Sequence, residues 1–368
     1  MRFMQRHWKR RNRTYGLLAC LMIIFLLHAW AGCAAQDVTI AGKSFYLDGK
    51  LWLPKGVNVA ALVRPKFIPS APKWMNDESN NPGREWWGPA EFAAIKSVLG
   101  GSVIRFQISQ AALDPHSSIY DRAYLTELTG AIKQARAAGF VVICSMSWGD
   151  SAGLQNMAGM PDDGTTRAWQ SLAPGFVHDP GVMFELFNEP KLDWNKAGSH
   201  QIWARDMQAL IDEVRSLGAT NILLLDGLGY AQWTNDLFPL VHDRLPNRMA
   251  MAVHPYLDPM RNEAHLDPQE YWRRHFSLSA AQVPMIATEW NATPNGGCAG
   301  PNTPELSLAL MRLLASLHVG VLGWSIDTSA KLVKDHTGYQ PTDYSSFKDC
   351  KDGSDSGGGS LLAKFPND

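Results

Sequence analysis

Eight strand-length apolar runs, alternating with longer helical patterns, constrain the fold more than any other feature of the chain. The runs cover 53–58, 102–108, 140–145, 182–188, 221–226, 249–253, 283–288 and 319–325, most of them bounded by Gly, Pro or Asn. Near-continuous apolarity marks strands buried on both faces, as in a parallel sheet covered by helices. Helical patterns fall between them at 89–99, 121–138, 200–217, 269–279 and 303–317. Gly139 and Gly218 stand just past two of these, and Gly320 stands near the end of another. Glycine relieves the left-handed position that closes a helix. The third and fifth helices are less clear in the pattern. Eight such units close a (β/α)8 barrel. A doubly wound open sheet is the alternative, but no G-x-G-x-x-G follows the first run. An N-terminal β-hairpin is expected ahead of the barrel, with segments 38–40 and 43–47 flanking Ala41-Gly42. Asp48-Gly49 marks a second tight turn.

The first 35 residues read as an address rather than fold. A basic stretch precedes an apolar run over 17–31, and small residues follow at Ala31-Gly32-Cys33-Ala34-Ala35. That is the order of a signal peptide, with Ala29-Trp30-Ala31 as a cleavage pattern. The Ala31-Gly32-Cys33 run also fits a lipoprotein box, which would put a lipid anchor on Cys33. A retained anchor is the third reading, though the run is short for a span. The expectation is therefore a secreted or periplasmic protein, or a membrane-tethered lipoprotein, with no stable span once the signal is removed. Residues 36–368 are expected to form one catalytic domain with a Gly/Ser-rich C-terminal tail.

Charge follows the same division. The whole chain carries −1, but six basic residues and no acid lie in residues 1–36, so the remainder carries −7. An acidic body argues against nucleic acid as a partner. With export, a disulfide becomes available, and Cys298 and Cys350, both in Gly/polar loops, are the expected pair. Cys144 sits in an apolar run and reads as a buried thiol. No C-x-x-C occurs, and His254 and His265 lack a ligand spacing, so no metal is expected. No G-x-S-x-G elbow follows a strand, so a serine hydrolase is not expected either.

In a barrel, chemistry belongs at the C-terminal ends of the strands. Those ends carry Asn58, Arg105, Trp148, Asn188-Glu189, Asp226, His254-Pro255-Tyr256, Glu289 and Trp324, with Tyr230 and Trp233 just beyond the fifth. Two facing carboxyls, one protonated and one ionised, are what glycosidic cleavage requires. The segment Phe184-Glu185-Leu186-Phe187-Asn188-Glu189-Pro190 resembles the strand-4 motif of clan A glycoside hydrolases, in particular the family 5 cellulase group. Met285-Ile286-Ala287-Thr288-Glu289-Trp290 resembles the strand-7 segment of that family, and Val103-Ile104-Arg105-Phe106 its strand-2 segment. His254-Pro255-Tyr256 and Gly323-Trp324-Ser325 resemble its strand-6 and strand-8 segments. Where many members carry His near the end of strand 3, this chain has Ser145-Met146-Ser147-Trp148-Gly149-Asp150.

The resemblance implies a retaining hydrolase of β-linked glucan- or mannan-type glycans that needs no cofactor. Glu189 would be acid/base and Glu289 nucleophile. Arg105 would keep Glu289 ionised, Tyr256 would hydrogen-bond it with His254 alongside, and Asn188 would hold the sugar 2-hydroxyl. Asn58, Trp148, Trp324, Tyr230 and Trp233 are candidate substrate contacts. Trp74, Trp86 and Trp87, in the Pro-rich stretch 59–88, would wall the groove or else pack that loop onto the barrel. Glu185, Asp226 and Asp327 read as buried or loop-capping carboxylates. Endo action is favoured. Exo action, transglycosylation and a non-catalytic glycan-binding barrel are the alternatives.

Overall fold

The computed structural model describes residues 36–63, 65, 66, 87–147, 159–257, 260, 263, 265–292, 303–327, 332–343 and 357–367. All eight apolar runs form strands. In chain order they are β4 (Lys55–Val59), β5 (Val103–Ile108), β6 (Val141–Met146), β7 (Val182–Glu185), β8 (Leu223–Asp226), β9 (Met249–Val253), β10 (Met285–Trp290) and β11 (Gly320–Gly323). Each pairs in parallel with the next, and β11 pairs with β4, so the sheet closes into a barrel. Closure removes both sheet edges.

Three shorter strands, β1 (Val38–Ala41), β2 (Ser44–Leu47) and β3 (Lys50–Trp52), form a separate antiparallel sheet, one strand more than the expected hairpin. Val38, Ile40, Phe45 and Trp52 from this sheet share one apolar cluster with Val103, Val141, Ile143, Met183, Ile222, Leu224 and Ile286. The small sheet therefore plugs the end of the barrel where the strands begin, and the strand C-termini are left as the open mouth.

The helix layer packs through a larger apolar cluster that includes Trp169, Trp203, Trp272 and Trp290, all fully buried. Burying such a side chain contributes roughly 2–3 kcal/mol. Helix α1 (Pro89–Ser97) has Pro at its first turn. Helices α2 (Arg122–Ala137) and α4 (Ser199–Ser216) are followed by Gly139 and Gly218 at φ 78° and 88°. Helix α3 (Asp163–Leu172), unclear in the sequence, starts at a capping box. There Asp162 accepts from the Thr165 N–H at 2.9 Å, and Thr165 Oγ1 accepts from the Asp162 N–H at 3.0 Å. The expected helix over 269–279 is helical but interrupted by a π-helical turn at Arg273–Ser277. After α5 (Thr303–Leu317) the left-handed position belongs to His318 at φ 59°, and Gly320 instead opens β11. No regular α-helix links β8 to β9. A left-handed turn and the short 3-10 turn Phe238–Leu240 take its place, which is why the fifth helix was hard to read.

Beyond the Gly/Ser/Asp-rich stretch, the last residues form a docked helix, α6 (Gly359–Lys364). Buried Lys55 donates to the Phe365 carbonyl at 2.7 Å, and the Leu53 N–H donates to the Asn367 carbonyl at 2.9 Å. Cys33, Cys298 and Cys350 lie outside the described residues. Cys144 is a buried free thiol. Among the described residues, no helix is long and apolar enough to cross a membrane.

Gly56 sets the spacing of β4 and β5, because a Cβ there would stand 2.0 Å from the Val103 carbonyl oxygen. Gly56→Ala must push the two strands apart. It is expected to destabilise the domain by about 3 kcal/mol, as overpacking at a rigid backbone does. The check is the urea midpoint at unchanged m-value.

Candidate active site

Arg105 organises the mouth of the barrel. It is fully buried, and its guanidinium N–H groups all point at acceptors from neighbouring strands. Nε and Nη2 fork onto Glu185 at 2.6 and 2.8 Å, and Nη1 reaches Glu289 Oε1 at 2.7 Å. Asn58 Oδ1, Ser145 Oγ and Asn188 Oδ1 accept at 2.8, 2.9 and 2.6 Å. Burial alone would lower the guanidinium pKa, but the charges of Glu185 and Glu289 outweigh it and raise it. For Glu185 the balance runs the other way. Burial pushes its carboxyl up, and Arg105 brings it below its ordinary value.

Glu289 lies near the end of β10 and is almost buried. Gln107 Nε2 donates to its Oε1 at 2.9 Å and the Tyr256 hydroxyl to its Oε2 at 3.1 Å. Burial, followed by the charges of Glu289 and Glu189, pushes the Tyr256 phenol well up, so it stays a donor. A register shift between Ala287 and Trp290 breaks the inward–outward alternation of β10. As a result consecutive Thr288 and Glu289 both face the site.

Glu189 stands past the end of β7 with a left-handed φ of 55°. Its N–H donates to Asp226 Oδ2 at 2.8 Å, and its Oε1 lies 3.0 Å from His254 Nδ1. The His254 tautomer follows from its other nitrogen. Nε2 is 3.1 Å from Thr288 Oγ1, which is itself 3.2 Å from Glu185 Oε1. Glu185 only accepts, so Thr288 gives its single proton there and receives one from Nε2–H. The Nδ1–Glu189 contact then holds one shared proton. One oxygen of Glu189, one of Glu289 and His254 Nδ1 all lie within 4.8 Å of one another.

The fold thus brings Arg105, Asn188, Glu189, His254, Tyr256 and Glu289 together. Trp324 is partly exposed at the mouth and joined to Ser325 by a cis peptide. Asn58, expected to contact substrate, instead is fully buried. Its Nδ2 donates to the Thr288 and Gly323 carbonyls at 2.9 and 3.2 Å, so both amide protons are used inside. Of its two readings, Trp87 takes the packing one and not the groove wall. It packs edge-on against Phe92 and Phe106 at 4.8 and 5.0 Å and donates to Gln134 of α2 at 3.2 Å, on the outer flank of the barrel. Trp74, Trp86 and Trp148 lie outside the described residues. Tyr230 is 49% exposed. Trp233 stacks on Trp194 at 5.7 Å, with His275 edge-on to both. Asp327 accepts from the Ala60 and Ala61 N–H groups at 3.1 and 2.7 Å, and burial pushes its carboxyl up to about 6.

Gln107, Thr288 and Trp194 were not singled out from sequence. Gln107 was accessible, because it lies two residues beyond Arg105 on the same strand face. Thr288 was not, since alternation counted from Glu289 sends it the other way, although it shares the inward parity of Ile286. Sequence spacing gave His254 no carboxylate neighbours, yet the fold supplies Glu185, Glu189, Asp226 and Glu289. Two triads, Glu185–Asp226–His254 and Glu189–His254–Glu289, are close enough to hold a cation among the described residues. Arg105 already stands opposite two of those carboxylates, and both His254 nitrogens are engaged.

Comparison with known proteins follows the same lines. The cellulase model of glycosyl hydrolase family 5 matches residues 73–330. A manganese-dependent endoglucanase of Phanerodontia chrysosporium is 26% identical over 184 residues, 46% of this chain and 47% of that protein. A probable endo-β-1,4-glucanase of Aspergillus oryzae is 28% identical over 200 residues, 49% of this chain and 56% of that protein. The chain thus spans about half the length of the curated relatives it matches. Among solved structures, a β-glucanase of Saccharophagus degradans superposes with a TM-score of 0.64 at 19% identity. The match covers 87% of this chain and 93% of that one.

Arg105→Met would leave Glu185 and Glu289 buried without their cation. Breaking a buried ion pair from one side costs about 3–5 kcal/mol. That loss should appear as a lower urea midpoint, with part of it recovered when Glu185→Gln is added.

Proposed function

The chain belongs to the cellulase family, glycosyl hydrolase family 5, and from that premise we propose that it is a retaining glycoside hydrolase that cleaves β-linked glucans by double displacement. The approach of Glu189 and Glu289, with one oxygen of each within 4.8 Å, carries the reading. Retaining enzymes hold their carboxyls about 5–5.5 Å apart, whereas inverting ones leave room for a water at about 6.5–9.5 Å.

Glu289 is the nucleophile. Arg105 and Gln107 hold its Oε1, and Oε2, held among the described residues by the Tyr256 hydroxyl alone, is the oxygen 3.9 Å from His254 Nδ1 and nearest the acid side. Oε2 attacks the anomeric carbon while Glu189 protonates the departing oxygen. The same Glu189 then takes a proton from the water that opens the glycosyl-enzyme. His254 exchanges a proton with Glu189 through Nδ1. Asn188 has its carboxamide oxygen fixed by Arg105, which turns its amide nitrogen toward the sugar 2-hydroxyl. Trp324 offers a ring face to sugar C–H groups.

The glucan substrate and endo action follow the relatives named endoglucanases and the β-glucanase of like fold. The basic, apolar, small-residue order of the first 35 residues supports export. Tyr230 and the Trp233–Trp194 stack lie past β8 and β7, on the acid/base side, and suit the leaving-group half of the glycan.

Glu289→Ala and Glu189→Ala should each lower kcat/KM on β-glucan by at least about 10⁴-fold, about 5.4 kcal/mol of transition-state stabilisation. Azide should restore turnover of an activated aryl glycoside by Glu289→Ala and yield the inverted glycosyl azide. Unimpaired hydrolysis by Glu289→Ala would remove it as nucleophile. Endo action predicts a fall in viscosity that runs ahead of the release of reducing ends.

A further inference from the structure

Double displacement uses Glu189 and Glu289, yet two more carboxyls lie directly beneath them. Glu185 and Asp226 end the adjacent strands β7 and β8, and both are fully buried. One oxygen of each lies within 4.8 Å of the other, with a His254 nitrogen equally close. Two ionised carboxylates that close and wholly out of water repel each other, so one of them carries a proton. The surroundings decide which. Both oxygens of Glu185 accept from Arg105, and Oε1 also accepts from Thr288. Among the described residues Asp226 has one hydrogen-bond donor, the Glu189 N–H on Oδ2, while Oδ1 meets none. A buried oxygen with no donor is where a carboxyl proton belongs.

We propose that Asp226 is a neutral acid that positions Glu189, its Oδ1–H given to Glu185 and its Oδ2 accepting the Glu189 backbone N–H. The assignment rests on the proposed function in one respect, that Glu189 is the proton donor. The groups facing Asp226 agree with it. Burial first, then the charge of Glu185 on β7, push its carboxyl well up, and Arg105 from β5 opposes this more weakly. His254, past β9, places Nε2 3.8 Å from Oδ2, and that proton is already directed to Thr288.

The arrangement has two effects on Glu189. Its left-handed backbone needs an acceptor for an otherwise orphaned N–H, and Oδ2 supplies it. A neutral neighbour also adds no repulsion to the charge that Glu189 acquires when it gives up its proton. An ionised Asp226 would oppose that step in every turnover.

Asparagine reproduces the neutral acid, with an amide N–H in place of the Oδ1 proton and an oxygen in place of Oδ2. Asp226→Ala keeps neither contact and should lower kcat on β-glucan by about 100-fold, about 2.7 kcal/mol, with KM little changed. Asp226→Asn should recover at least about tenfold of that loss in kcat. If Asp226→Asn falls as far as Asp226→Ala, the residue acts through a charge and the proposal fails. Infrared spectroscopy of the protein at neutral pH tests the proton directly. One C=O stretch of a protonated carboxyl should be lost in Asp226→Asn and survive in Glu189→Gln, since Glu189 also carries a proton in the proposed reaction. A wild-type spectrum without such a band overturns the assignment whether or not any glycan is cleaved. Conversely, a wild type that hydrolyses no β-glucan but shows that band would sink the proposed function and leave the proton assignment standing.

Discussion

One buried guanidinium holds the mouth of this barrel together. Removing a charge from water costs several kcal/mol even after relaxation, so Arg105 is tolerable only because every N–H has an acceptor and two carboxylates stand opposite it. Those acceptors come from β4, β5's neighbour β6, the β7 end and β10. A single side chain therefore ties four strands of the barrel together at its mouth. The fork onto Glu185 uses Nε and Nη2, and this fixes the plane in which Nη1 meets Glu289. Lysine could supply the charge but not that plane. The position of Glu289 and the rotamer of Asn188 are thus consequences of the same group.

The barrel was legible because its signal is repeated eight times, and burial on both faces gives parallel strands a composition that helices and loops lack. The site was legible to the extent that chemistry concentrates at strand ends. Sequence reasoning ran out where the backbone leaves the period. The shift in β10 turns Glu289 inward beside Thr288, and the left-handed φ of Glu189 ends the alternation that began in β7. Asn58 shows a different limit. A polar residue at a strand end can serve solvent or its neighbours with the same sequence signature, and only the Thr288 and Gly323 carbonyls beside its amide decide the matter.

The abundance of tryptophan divides in a way that sequence position could not reveal. Trp169, Trp203, Trp272 and Trp290 are wholly within the apolar layer between barrel and helices. Trp290 follows Glu289 directly, and the ordinary alternation that resumes after the shift sends the two to opposite sides of the strand. Glycine at 358 lets the C-terminal segment close over that ring, since a Cβ there would lie 2.5 Å from it. Trp87 braces the flank. Among the described residues the mouth keeps Trp324, the Trp233–Trp194 stack and the exposed Tyr230.

Backbone strain collects beside Glu189 and has a structural reason to persist there. Gly229, Tyr230 and Ala231 are all left-handed, at φ 58°, 62° and 58°, a conformation costly for Tyr and Ala. The turn is pinned to the Glu189 loop from both sides. The Tyr230 N–H donates to the Pro190 carbonyl at 2.9 Å, and the Gly229 N–H donates to the Leu192 carbonyl at 3.0 Å. The Trp194 ring closes over Gly229 so tightly that a Cβ would stand 2.4 Å from it. Further along, the Ala231 carbonyl accepts the His254 N–H at 2.8 Å. One strained turn therefore touches the backbones that carry both partners of the Glu189–His254 proton contact. Relaxing it would move the two together with Tyr230, so the β8 turn helps fix the spacing of Glu189 and His254.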